Sequence, residues 1–296
     1  MSTPVFRWIR IALTIAAVGA VGWAFAAAVE DAGQVPLPET SSFVGAGVCY
    51  LIGLVAATAG WAVLLRDRRF LDVVPGFATA QLAKYVPGSI WQGVGQVADA
   101  HRLGVGTGTA SLAFLTQVSV QLLVAAAVSV LALLSPGLPL WLMIGVALGP
   151  LALLLIRPAA LRGVVRGLSR LSSRVREDAI EVPEARALGQ VALASLGAIL
   201  ALGIGFALLL PEARGPRELL GAAGVFALAW VVGFLVVPLP SGLGVREAVL
   251  VAGLAGLYGP ADVLTASIVS RVVLIVVEAL YAGVAQLARP ALRTSS

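Results

Sequence analysis

Two interruptions in an otherwise apolar chain hold the residues best suited to chemistry. The segment KYVPGSIW, residues 84–91, contains Lys84, and the segment VPLPSGLGVRE, residues 237–247, ends in the adjacent charges Arg246 and Glu247. Proline and glycine break a helix at both places. Irregular backbone at membrane depth persists only where protein or a wet cavity surrounds it. Charges at that depth are costly, so their presence indicates a functional site.

The chemistry that these segments favour is the binding of an anion. A helix that begins inside the membrane presents unpaired N–H groups and the positive end of its dipole. Residues 241–244 lead into one such helix start, and residues 88–89 are candidates for another. If Lys84 and Arg246 approach from opposite sides, the pattern suits a phosphate head group. The alternatives are that Arg246 pairs with Glu247 or Glu278 and only stabilises the fold, and that Lys84 extends to the cytoplasmic interface.

Further polar residues lie within apolar runs. Arg271 and Glu278 are seven residues apart in the last run, so they share a helix face; either they bond polar groups of the two interruptions, or Glu278 carries protons in coupled transport. Gln117 and Gln121 either contact a polar path or hydrogen-bond a neighbouring helix. The predicted substrate-binding residues are Lys84, Tyr85, Pro87, Gly88, Ser89, Trp91, Gln117, Gln121, Pro240, Ser241, Gly242, Gly244, Arg246, Glu247, Arg271 and Glu278.

Composition restricts the class of protein. The 296 residues are 59% hydrophobic and 12% charged, with a mean hydropathy of +0.99, whereas a soluble domain has about 25% charged residues. The single Cys49 and the single His101 exclude a disulfide framework and a multi-histidine metal cluster. No nucleotide-binding or hydrolase motif is present. We therefore expect an all-α polytopic membrane protein that is not an enzyme, with no cofactor and no nucleic-acid partner.

The lengths of the apolar runs predict six spanning helices and two re-entrant hairpins. A span needs about 20 residues. The six runs predicted to span are 6–29, 43–65, 107–134, 140–156, 187–210 and 261–288. The predicted hairpins are 71–103, which enters from the cytoplasm, and 219–257, which enters from outside. Residues 219–236 are nearly long enough to cross, and eight spans are the alternative.

The order span, span, hairpin, span occurs twice, which predicts an inverted-topology repeat within one membrane domain, residues 1–296. Repeat one is 1–134 and repeat two is 139–288. The segment 86–89 resembles 239–242, and 109–112 resembles 265–268, in the same order. Transporters of this architecture bind substrate near the bilayer midplane.

Arginine in the loops predicts the orientation. The N-terminus, the C-terminus and the linker 157–186 are rich in arginine, so the positive-inside rule places all three in the cytoplasm of a bacterial inner membrane. The linker repeats arginine every fourth residue opposite an apolar stripe. It is predicted to be an amphipathic helix on anionic lipid head groups, or else a solvated basic loop.

The two interruptions also carry a resemblance. KYVPGSIW with the following Gly104 and Val105, PLPSGLGVRE and the late Arg271 are similar to the flippase-like, lysylphosphatidylglycerol synthase transmembrane region family. The resemblance covers nearly the whole chain and implies lipid translocation, with Lys84, Arg246 and Glu247 at the matching positions. No soluble aminoacyl-transferase domain accompanies this sequence, so we expect a stand-alone member without synthase activity.

The sequence therefore favours a flippase that moves a phosphate-bearing lipid or a polyprenyl-phosphate-linked lipid across the inner membrane. One rival is a non-transporting scaffold or partner of a lipid synthase or glycosyltransferase. The other rival is an enzyme that acts on a lipid phosphate, and the absence of a nucleophile with an acid–base pair argues against it. Transport by the purified protein in vesicles distinguishes a flippase from a scaffold.

Overall fold

A computed structural model describes residues 38–66, 68–85, 91–134, 183–211, 215–235 and 244–293. Within these ranges every regular element is a helix, as predicted. The α-helices are α1 (Thr40–Leu64), α2 (Phe70–Leu82), α3 (Trp91–Arg102), α4 (Thr107–Val128), α5 (Ala185–Ala207), α6 (Pro216–Leu235), α7 (Val245–Leu254) and α8 (Pro260–Arg293). Short 3-10 helices continue α2 over Ala83–Tyr85 and α4 over Ser129–Leu134.

Five helices in the described part of the chain are long and apolar enough to cross a membrane: α1, α4 with its 3-10 extension, α5, α6 and α8. The chain is therefore a multi-pass membrane protein by length and composition. The spans expected at 6–29 and 140–156, and the linker 157–186, lie outside the described residues.

The first interruption separates two short helices that lie antiparallel. Helices α2 and α3 have 13 and 12 residues, which is about 20 and 18 Å and less than the ~30 Å hydrocarbon core. Next to the interruption, Gln92 Nε2 donates to Gln81 Oε1 at 3.3 Å. One turn further away, a Cβ on Gly95 would lie 3.2 Å from Ala80. The pairing thus runs in opposite directions along the two helices, as a hairpin requires.

The two helices on either side of the second interruption differ in length, and the first covers the stretch 219–236 that was predicted to be nearly long enough to cross. Helix α6 has 20 residues and is about 30 Å long, so it is long enough to span. Helix α7 has ten residues and is about 15 Å long, too short to cross. Pro216 begins α6 at a position that tolerates proline, and no further proline breaks the run before α6 ends.

Helices α1 and α5 form the central contact and run antiparallel. A Cβ on Gly45, near the start of α1, would lie 3.1 Å from the side chain of Leu208, which directly follows α5. At the other end, Arg66 lies 4.0 Å from Glu184. Gly53 in the middle of α1 faces a backbone oxygen of α5, 3.3 Å from where its Cβ would be. Small residues let the two backbones approach, and such close packing favours helix association in lipid.

The remaining contacts follow a repeating pattern in which α1–α4 correspond to α5–α8. Helix α1 packs against α2, α2 against α3 and α3 against α4; likewise α5 packs against α6, α6 against α7 and α7 against α8. Helix α4 contacts α1, α5 and α6, and its counterpart α8 contacts α5, α1 and α2. Each of these helix pairs therefore has a counterpart when the two halves are exchanged.

Candidate functional site

Five charged side chains from the two interruptions and from α8 lie around the middle of α8: Lys84, Arg246, Glu247, Arg271 and Glu278. The span Pro260–Ala288 is centred on Leu274. Arg271 and Glu278 lie three residues before and four residues after this centre, about 5–6 Å along the axis at the helical rise per residue. We call these five residues the charged cluster.

Lys84 and Glu278 form the first ion pair of the cluster. The Lys84 ammonium, in the 3-10 turn after α2, donates to Glu278 Oε1. The Glu278 side chain is 1% exposed and that of Lys84 is 29% exposed. The Tyr85 hydroxyl faces the same carboxylate, and the ammonium lies 5.2 Å from the centre of the Tyr85 ring. The prediction that Lys84 extends to the cytoplasmic interface is therefore wrong: Lys84 pairs with a carboxylate near the middle of α8.

Glu247 and Arg271 form the second ion pair, in which Arg271 NH2 lies 2.5 Å from Glu247 Oε1. The contact is a close ion pair without the alignment of a hydrogen bond. The other oxygen, Glu247 Oε2, accepts the Gly244 backbone N–H at 2.7 Å. Gly244 has φ +83°, which only glycine adopts readily. Glu247 therefore caps the start of α7 and ties it to α8, so the chain's own carboxylate occupies part of the helix terminus proposed for an anion.

Arg246 has no carboxylate partner among the described residues, although Glu247 follows it directly. Its guanidinium carbon lies 5.2 Å from the centre of the Phe226 ring on α6, a contact in which the ring face attracts a cation. The Glu247 carboxylate is near its charge without forming an ion pair with it, as are Tyr50 and Tyr85, and so is the cation of Arg271. The alternative in which Arg246 pairs with Glu247 or Glu278 is wrong, because those carboxylates pair with Arg271 and Lys84.

The charged cluster therefore carries one uncompensated positive charge. Its three cations face two carboxylates, and the interruptions at 86–90 and 236–243 contain no charged residue in the sequence. A charge withdrawn from water is stable only when it is paired and hydrogen-bonded. Glu278 Oε2, which is buried, also has no hydrogen-bond partner in the described part of the chain. The arrangement can accept one anion at Arg246.

The positions of Arg271 and Glu278 agree with the alternative in which both residues bond polar groups of the two interruptions. Both side chains bond groups from the interruptions, Glu247 and Lys84 respectively. Helix α8 also bonds α1: the Tyr50 and Ser270 hydroxyls lie 2.6 Å apart. Tyr50, Ser270 and Phe226 were missed from the sequence. Hydroxyl groups inside apolar runs gave a signal for the first two, but nothing distinguished Phe226 from other apolar residues.

Gln117 lies apart from the charged cluster. Its Nε2 donates to the Ala57 carbonyl oxygen of α1 at 2.8 Å, and its side chain is buried. This is the alternative in which glutamine hydrogen-bonds a neighbouring helix. Gln121 and Trp91 are partly buried, and Trp91 begins α3. The other predicted site residues, Pro87, Gly88, Ser89, Pro240, Ser241 and Gly242, lie outside the described residues.

Asp99 lies near the end of α3, two and three residues before His101 and Arg102. His101 and Arg102 are exposed, but Asp99 is 7% exposed. Its carboxylate lies over α2, where a Cβ on Gly76 would clash with it and lie 2.7 Å from Asp99 Cβ. Asp99 is thus part of the packing between α2 and α3.

Comparison with protein-family models found no match for this chain, and comparison with curated proteins found none either. The resemblance of the two interruptions to the flippase-like family stays a prediction from the sequence.

Proposed function

We propose that the protein is a transporter that moves a phosphate-bearing lipid, or a polyprenyl-phosphate-linked lipid, across the bacterial inner membrane. The observation that supports this is the unpaired Arg246 beside two ion pairs at the middle of a membrane-spanning helix. Charged side chains at that depth mark substrate or ion pathways in membrane proteins. A guanidinium offers a planar fork of donors that matches two phosphate oxygens.

In the proposed mechanism the head group binds Arg246 while the lipid tails stay in the bilayer. Lys84 is the second cation near the path, and its ion pair with Glu278 holds it there. Tyr50 and Tyr85 supply hydroxyl donors beside the same charge. The head group thus exchanges water for fixed donors, which lowers the energetic barrier to crossing the apolar layer.

An inverted repeat with six spans and two re-entrant hairpins would place this site between its halves. The exchange of α1–α4 with α5–α8 in the packing pattern supports the repeat. The corresponding helices α1 and α5 run antiparallel, the relation expected when the second half is inserted in the opposite direction. The arginine-rich segments place both termini and the linker in the cytoplasm in this proposal.

The test is lipid movement in vesicles that contain the purified protein and a fluorescent phospholipid. Wild-type protein should accelerate movement between leaflets, and Arg246→Gln should abolish that acceleration. Arg186→Gln is the matched control, because Arg186 is exposed at the start of α5 and the chemical change is the same. A wild-type protein that moves no lipid would favour the scaffold.

Thermal stability separates this role from a structural one. Arg246 is an uncompensated charge, so Arg246→Gln should leave the unfolding temperature unchanged or raised. A variant that unfolds at a clearly lower temperature, yet moves lipid at the wild-type rate when folded, would contradict the proposal.

A further inference from the structure

The charges at the site narrow the class of substrate beyond what the proposed function states. Resting on that function, we propose that the site selects a head group with one negative charge, a phosphodiester, over phosphomonoesters and pyrophosphates. The class includes phosphatidylglycerol and polyprenyl-phosphate monosaccharides, because the phosphate is a diester with one negative charge in both.

The argument begins with the number of unpaired charges. Lys84 and Arg271 are each neutralised by a carboxylate of the cluster, and only Arg246 is not. One negative charge on the ligand therefore makes the whole cluster neutral. A second negative charge would be buried beside Glu247 and Glu278 without a cation of its own, and like charges at short range in a poorly solvated site repel strongly.

Phosphate esters differ in the number of negative charges that they carry. A phosphomonoester carries about −1.5 to −2 charges at pH 7, a pyrophosphate of a lipid carries more, and a phosphodiester carries one. A diester still keeps two unesterified oxygens, which is the number that the fork of one guanidinium binds. Arg246 can therefore bind a diester bidentately without help from Lys84, and the Lys84–Glu278 pair stays intact.

The test uses two probes that differ by one methyl group and one charge: hexadecyl phosphate and its methyl ester. Their dissociation constants are measured at pH 7 by calorimetry on the full-length protein in uncharged detergent micelles. We expect the methyl ester to bind wild-type protein about ten-fold more tightly or better, which corresponds to about 1.4 kcal/mol. Equal or tighter binding of the monoester would overturn the proposal.

A change in the number of unpaired cations should change the preference. Glu278→Gln leaves Lys84 without its carboxylate, so we expect monoester binding to tighten about ten-fold and the preference to disappear or reverse. Asp72→Asn is the matched control, since it removes one negative charge from the exposed first turn of α2 and should leave both dissociation constants unchanged. An unchanged preference in a folded Glu278→Gln protein would contradict the charge argument.

The outcomes separate this inference from the proposed function. If wild-type protein moves lipid but prefers the monoester, the function stands and the charge argument fails. If Arg246→Gln binds both probes as wild-type protein does, the site itself is wrong. Transport assays with phosphatidylglycerol and with a polyprenyl-phosphate monosaccharide then identify which diester lipid is the substrate.

Discussion

Removal of Lys84 is the perturbation whose consequence the structure predicts most fully. In Lys84→Met the Glu278 carboxylate, 1% exposed, loses the only cation that bonds it among the described residues. Breaking one partner of a buried ion pair typically costs about 3–5 kcal/mol, because the remaining charge is buried without compensation. Lys84 is 29% exposed, so water screens part of the interaction, and we expect the lower end, about 3 kcal/mol.

Substitution of the partner residue, Glu278, should lower the free energy of unfolding by less than Lys84→Met does. Glu278→Gln leaves Lys84 unpaired, but a lysine that is partly exposed can turn its ammonium toward water on its flexible stem. We expect a loss of about 1 kcal/mol from the lost charge-assisted hydrogen bond. The double variant Lys84→Met/Glu278→Gln buries no unpaired charge, so it should be about as stable as Glu278→Gln and clearly more stable than Lys84→Met.

The measurement is the free energy of unfolding by denaturant in detergent micelles, followed by tryptophan fluorescence, for all members of the double-mutant cycle. The expected coupling between the two residues is about 2–3 kcal/mol. Arg186→Met is the control for the loss of an exposed basic residue and should stay within about 0.5 kcal/mol of wild-type. A loss below about 1 kcal/mol in Lys84→Met, or a double variant as unstable as Lys84→Met, would refute the buried pair. The double variant is also the one in which to test the role of Lys84 in transport.

Two further predictions concern packing. Gly76→Ala should destabilise the protein by about 1–3 kcal/mol, because the new Cβ would clash with the Asp99 side chain and lie 2.7 Å from Asp99 Cβ. Gly189→Ala, whose new Cβ meets no atom within 4 Å, should be neutral or stabilising in the same unfolding assay. Gln117→Leu removes one hydrogen bond together with a buried, unpartnered oxygen, so stability should change by about 1 kcal/mol or less and lipid movement not at all. A ten-fold loss of movement in that variant would return Gln117 to the substrate path.

Helix type and approximate position followed from the sequence because they depend on local properties. The apolar runs behind α1, α4, α5 and α8 begin and end within a few residues of the predicted limits. The helix end at Tyr85 and the helix start at Trp91 were equally visible, since the proline and glycine between them act on their own backbone. The length of α6 was visible in the same way: residues 219–236 were predicted to be nearly long enough to cross, and α6 runs over Pro216–Leu235.

The contacts within the charged cluster could not be predicted from local properties of the sequence. Lys84 and Glu278 are 194 residues apart in the sequence. The helical period predicts which residues share a face of α8, but it does not predict which residue of another helix lies opposite that face. The sequence offered Glu247 and Glu278 as partners for Arg246, and only the packing shows both to be engaged elsewhere. The burial of Asp99 likewise depends on the small residue Gly76 facing it from α2.

In the proposed repeat the two halves correspond in packing but not in charge, so we expect one binding site per chain. The segments 109–112 and 265–268 align α4 with α8, so Leu115 and Leu122 stand where α8 has Arg271 and Glu278. Helix α4 thus has no ion pair to offer the second hairpin, although its contact with α6 mirrors that of α8 with α2. An inverted repeat can rock between two orientations around a fixed centre. In the charged cluster, most of the charged residues come from one of the two halves. The binding stoichiometry measured with the methyl ester of hexadecyl phosphate should accordingly be one per chain, and Arg246→Gln should remove all of it.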